Sequence, residues 1–118
     1  MRKLIRSESG NVMVEFALSW ALLSIIFTSV FQFGYTIWVY NSLENSVQNA
    51  AKFGASLTYS VSSPSDMTSK IQNMVVYATP DGGTSPIVPG LTTANVTVDT
   101  HNVSGFPSNV TVSIQNYT

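Results

Sequence analysis

The chain contains no cysteine. Disulfides, thiolate metal sites and thiol nucleophiles are excluded, and the redox compartment leaves no mark. Its only histidine is His101, so a site with several imidazole ligands is excluded too. Charge is scarce: 9% of the 118 residues are Asp, Glu, Lys or Arg, against about 25% in an average soluble protein. The net charge is −1 with no basic patch, so there is no electrostatic footprint for nucleic acid. Asp99, His101 and the many serines lack the Gly-x-Ser-x-Gly context of a nucleophile elbow. Gly82-Gly83 lacks the following lysine of a phosphate-binding loop. No catalytic, cofactor-binding or metal-ligating residue is expected, and no cofactor.

What the chain does have is one long apolar run. Phe16 to Tyr40 reads FALSWALLSIIFTSVFQFGYTIWVY, 25 residues without a charge. At about 1.5 Å per residue such a helix reaches roughly 37 Å, enough to cross a hydrocarbon core of about 30 Å. A buried helix of a soluble protein would need a large core around it, and the rest of the chain is too short and too polar to supply one. Arg2, Lys3 and Arg6 precede the run, and Lys52 and Lys70 are the only basic residues after it. The positive-inside rule then keeps the N-terminus in the cytoplasm and exports the C-terminal part. Phe31, Phe33, Tyr35, Trp38 and Tyr40 resemble an interfacial aromatic belt at the outer end.

The run is too long for the apolar region of a secretory signal peptide, typically 7 to 15 residues. Helical spacing also continues beyond it. Leu43, Val47, Ala50, Ala51, Gly54 and Leu57 mark one face, and Glu44, Asn45, Gln48, Asn49 and Lys52 the other. One helix is expected from near Val12 to about Tyr59, apolar all round in its first half and amphipathic in its second.

Within this frame Glu15 stands out. It sits at the mouth of the apolar helix, and 28 uncharged residues separate it from Glu44. A charge at the bilayer centre costs about 2.5–3.5 kcal/mol on insertion scales, less near the edge. The plain reading is a helix-start carboxylate at the membrane interface, favoured by the helix dipole.

A second reading comes from the order of features: a short basic leader, Ser9-Gly10, Asn11-Val12-Met13-Val14-Glu15, then the apolar helix. This resembles the class III signal of type IV pilins and pseudopilins. More specifically, VEFAL (Val14 to Leu18) and FGYTIWVYNSLENSVQNAAKFGA (Phe33 to Ala55) resemble the TadE-like proteins of tight-adherence pilus systems. Lys52 stands where that family usually has arginine. The resemblance implies that a prepilin peptidase cuts between Gly10 and Asn11 on the cytoplasmic side. It also implies that Glu15 pairs with the amine so exposed on Asn11, usually that of a neighbouring subunit. Ala17 with Ala21 and Ser24 with Thr28 form small-xxx-small pairs that permit close helix approach. Gly34 offers a local bend.

The remainder, Val61 to Thr118, is different: 22 of its 58 residues are Ser, Thr or Asn. Ser63 or Ser65 is expected to cap a short helix from about Ser65 to Tyr77, with Met67, Ile71, Met74 and Val75 as its apolar stripe. Residues 79 to 93 hold three prolines and three glycines and read as a loop. ANVTVD (Ala94 to Asp99) and NVTVSIQ (Asn109 to Gln115) alternate as strands about turn material at Ser104 to Ser108. They are expected to pair antiparallel, with Val96, Val98, Val110, Val112 and Ile114 on one face. Asn95, Asn102, Asn109 and Asn116 begin four N-glycosylation sequons at intervals of seven. Chance in an Asn- and Thr-rich segment explains these better than a glycan coat.

The expected class is α+β: a leader at 1–10, a long pilin-like helix at 11–60 with its transmembrane half at 16–40, and a small exported head at 61–118. The function expected is a structural pilus or pseudopilus subunit. Its partners would be other copies or related pilins, the membrane, the prepilin peptidase and the assembly platform. The alternative is a signal-anchored envelope protein that never assembles and whose head binds a partner or ligand.

Overall fold

A computed structural model describes residues 8–57, 64–104 and 106–118. Helix α1 spans Glu8–Ser56 and helix α2 spans Pro64–Tyr77. A short 3-10 turn at Thr93–Asn95 leads into β1 (Val96–Val103), which pairs antiparallel with β2 (Phe106–Ile114). The fold is α+β, with a long apolar helix, a short helix and a two-stranded ribbon. The chain divides into two compact units, Met1–Ile37 and Trp38–Thr118.

The described part of the first unit is helix alone. It starts at Glu8 rather than near Val12, so Gly10 and Asn11 are already helical. The basic residues Arg2, Lys3 and Arg6 lie outside the described residues. Every residue from Gly10 to Ile37 is exposed, including Phe16, Trp20, Leu22, Ile25, Phe27 and Val30. The window has a mean hydropathy of 1.8, and none of it is buried. A helix apolar on all sides is stable only where lipid or other helices cover it.

The second unit has a core. Ala50 of α1, Ile71, Val75 and Val76 of α2, and Val96 of β1 are buried together with Val88 and Leu91. As the spacing predicts, Leu43, Val47 and Leu57 pack against this cluster while Glu44, Asn45, Gln48, Asn49 and Lys52 stay exposed. Gly54 is buried, and a Cβ there would lie 2.9 Å from Ile71 Cδ1 and 3.6 Å from Val110 Cγ1. Its missing side chain is what lets α2 and the ribbon come this close to α1. Helix α1 ends at Ser56, and Tyr59, the expected end, lies outside the described residues.

Three local expectations need correction. Ser65 is not a cap. Helix α2 opens on Pro64, a residue suited to the first helical position because it needs no N–H partner there. Ser63, the other expected cap, lies outside the described residues. Residues 79–92 are irregular as expected and Thr93 opens the 3-10 turn, yet the loop supplies two core side chains, Val88 and Leu91. The Ile87 N–H fastens this loop to α2 by donating to the Val76 carbonyl at 2.8 Å.

The strands are also displaced from their expected limits. Ala94 and Asn95 belong to the 3-10 turn, β1 runs on to Val103, and β2 begins at Phe106. The turn shrinks to the short connection between Val103 and Phe106, of which Ser104 is described. Ser104 has φ +56, as a two-residue hairpin of the primed type requires. Pro107 is tolerated in β2 because the register slips beside it. His101 pairs with Asn109 and Asn102 with Pro107, so Ser108 is an extra, bulged residue. The predicted apolar face holds: Val96 faces Ile114, Val98 faces Val112, and all five named residues pack on the core.

Candidate functional site

The face on which the sequence concentrates its unusual features is the N-terminal half of α1. Glu15 lies eight residues into the helix rather than in its first turn, so the plain reading of a helix-start carboxylate does not describe the uncleaved chain. It is exposed. The described residues of this unit, 8–37, contain no lysine, arginine or histidine. Among the described residues the salt bridge is Lys70 to Asp66 at 3.3 Å, in the other unit.

Glu15 and Asn11 are four residues apart and share a helix face. Helical side chains tilt toward the N-terminus, so the Glu15 carboxylate leans toward the Asn11 end. Removal of residues 1–10 would turn the residue 11 nitrogen into a cationic amine and leave the N–H groups of residues 12–14 without their carbonyl acceptors. An anion is favoured at such a helix start. Geometry thus turns Glu15 into a carboxylate near a helix start only after cleavage.

Ala17, Ala21, Ser24 and Thr28 follow one another at spacings of four, three and four, which keeps them on one face. Their hydroxyls are already used. Ser24 Oγ donates to the Trp20 carbonyl at 2.8 Å, and Thr28 Oγ1 to the Ser24 carbonyl at 2.9 Å. Ser29 and Thr36 bond back four residues in the same way. This stripe therefore offers shape to a neighbouring helix, with its hydroxyl protons already donated. Trp20, Phe27 and Phe31 wall a shallow groove over Ser24 and Thr28. Gly34 lies in uninterrupted helix, and a Cβ there would meet nothing within 4 Å. Nothing among the described residues requires glycine at that position.

In the second unit, His101 and Asp99 are exposed residues of β1. The sequons fare unequally. Asn102, Asn109 and Asn116 are exposed. Asn95 is committed: its Oδ1 accepts from Thr92 N at 3.1 Å and Thr92 Oγ1 at 2.7 Å. Its Nδ2 donates to the carbonyls of Gln115 at 3.2 Å and Asn116 at 3.0 Å. This residue staples the C-terminal tail to the start of β1, a role that the sequence pattern did not disclose. Asn95→Ala is expected to lower the stability of the second unit by about 1–3 kcal/mol, because it strands several polar groups at once. Asn95→Asp should be no better, since it turns a carboxylate toward two carbonyls. Hydrogen exchange at Gln115 and in the β1 amides measures both.

No curated protein and no solved structure matches this chain. A family model described as TadE-like protein matches residues 10–52. That family is one of structural proteins associated with tight-adherence pili. The match begins at Gly10 and covers Glu15, the whole apolar run and the start of the amphipathic half. The similarity to the TadE-like family thus falls on Gly10 to Lys52, the segment whose geometry is unusual.

Proposed function

We propose that this chain is a pilin-like structural subunit that assembles through its N-terminal helix into a tight-adherence-type pilus or secretion pseudopilus. One observation carries the reading: the apolar helical stretch Gly10–Ile37, exposed on every side, holds a single carboxylate, Glu15, with no cation among the described residues around it. Lipid covers the apolar surface but leaves the carboxylate costly. A neighbouring helix that brings an amine covers both. The prepilin peptidase supplies that amine by cutting after Gly10. The chain then waits as a single-pass membrane protein with its N-terminus inside, and the assembly platform lifts it into the filament. Ala17, Ala21, Ser24 and Thr28 form the close-packing face, and Gly34, about a third of a turn round the helix, gives a second point of close approach.

The test is to shear surface filaments from cells that make the native protein and to sequence the N-terminus of the subunit recovered. Asn11 is expected. Recovery of Met1 or Arg2 in the filament fraction would overturn the processing step. A protein found wholly in the membrane fraction would favour the anchored, non-assembling reading.

A further inference from the structure

Beyond the apolar run, α1 carries one acid and one base, Glu44 and Lys52, and both are exposed. Their spacing is unlike that of a solvated helix face. Glu and Lys four residues apart would pair within the helix. Eight residues carry Lys52 about 12 Å along the axis and about 80° round it, out of reach of Glu44. Among the described residues Lys52 has no ion-pair partner, and the contact of Glu44 is with the Gln48 amide, Nε2 to Oε1 at 3.4 Å.

Asn41 and Asn49 repeat that spacing. Both are exposed, and neither side-chain amide has a hydrogen bond among the described residues. Asparagine is a poor helix former, so helix propensity accounts for neither. The exposed stripe of α1 thus has two unlike flanks. Asn41, Glu44 and Gln48 line one, and Asn49, Lys52 and Ser56, each eight residues further on, line the other. The core of the second unit lies on the opposite side of this helix, where Ala50 and Gly54 are buried.

We propose that the first flank of one copy packs against the second flank of the next, with the two α1 helices parallel and offset by eight residues. A second copy is the occupant because the charges and amides of one flank match those of the other at a single offset. Glu44 meets Lys52, Asn41 meets Asn49 amide to amide, and Gln48 meets Ser56. The Ser56 hydroxyl still accepts there, since its own proton goes to the Phe53 carbonyl at 2.7 Å. Without the offset, like charges of the two copies would stand level. Copies that share a membrane orientation are parallel, and their heads point away from this seam. Each copy uses both flanks, one for each neighbour. Every contact adds about 12 Å along the axis, so the series cannot close into a ring. The inference rests on the assembly proposed above and names a contact made outside the apolar run.

The chain has no cysteine, so introduced thiols report on this contact alone. Asn41→Cys and Asn49→Cys subunits are made separately and together, and sheared filaments are oxidised mildly. Level positions on touching helices come within disulfide range, whereas like positions stand about 12 Å apart along the axis, beyond its limit of about 7 Å. At least about tenfold more disulfide dimer is expected from the mixture than from either variant alone. Lys52→Glu is expected to lower the filament-to-membrane ratio about tenfold, and Glu44→Lys in the same chain to restore it to within about twofold of wild type.

Equal dimer from the single variants and the mixture, or none from the mixture, overturns the seam. So does an unchanged ratio for Lys52→Glu, or a double variant no better than Lys52→Glu. Wild-type subunit recovered in filaments would leave the assembly itself standing in each of these cases. Wild type absent from filaments overturns the assembly and this inference with it.

Discussion

Glu15→Gln is expected to insert into the membrane normally, to lose its leader normally, and to fall about a hundredfold or more in sheared filaments relative to the membrane pool. Insertion is no harder because the change removes a charge from an apolar setting. Cleavage is unaffected because the leader and Gly10 remain. The loss arises at assembly. An α-amine freed on Asn11 by the proposed cleavage would be largely cationic at neutral pH, since such amines ordinarily titrate at about 7.7–8.0. Burying it opposite an amide instead of a carboxylate leaves an uncompensated charge, a cost of about 3–5 kcal/mol. Glu15→Asp keeps the charge but shortens the reach, and an intermediate loss is expected. The measurement is the ratio of filament to membrane subunit by immunoblot. An unchanged ratio for Glu15→Gln would mean that Glu15 is only an interfacial carboxylate.

Gly10→Arg is expected to leave essentially all the protein at full length and none in filaments. The helix already runs through the Gly10–Asn11 bond. A peptidase that takes an extended substrate must first unwind it there. Glycine assists, since it disfavours helix by about 1 kcal/mol relative to alanine. Arginine is a good helix former and also fills the space next to the bond to be cut. Gly10→Ala separates the two effects. It adds one methyl group and tightens the helix, so cleavage should slow only about fivefold. Pulse-labelled mobility shifts of precursor and mature forms give both rates. Normal processing of Gly10→Arg would show that the leader is not removed at this bond.

The large features were legible in the sequence because each rests on many residues. Twenty-five uncharged residues in a row specify a membrane-length helix whatever packs beside it. The amphipathic half of α1 and the ribbon's apolar face follow from simple periodicity. What stayed hidden depends on single backbone choices. Pro107 reads as turn material, and only the bulge at Ser108 lets it sit in a strand. Val88 and Leu91 lie in a run broken by Pro86, Pro89 and Gly90, so no period marks them as core. The Asn95 staple joins residues 20 and 21 positions apart, which no local pattern can show. For Glu15, the sequence exposes the anomaly, while its eight-residue depth in the uncleaved helix comes from the backbone.

The inward-bonded hydroxyls of Ser24, Thr28, Ser29 and Thr36 bear on reversibility. In the proposed bundle these four hydroxyls add no donated bond from one helix to the next, and the charged contact of the apolar part is the one proposed at Glu15. Sliding one helix along another breaks few specific bonds until that contact yields. Friction along the axis is low and the stopping point is sharp. On the proposed assembly, such a subunit passes from lipid into a filament and back through nearly the same apolar surroundings.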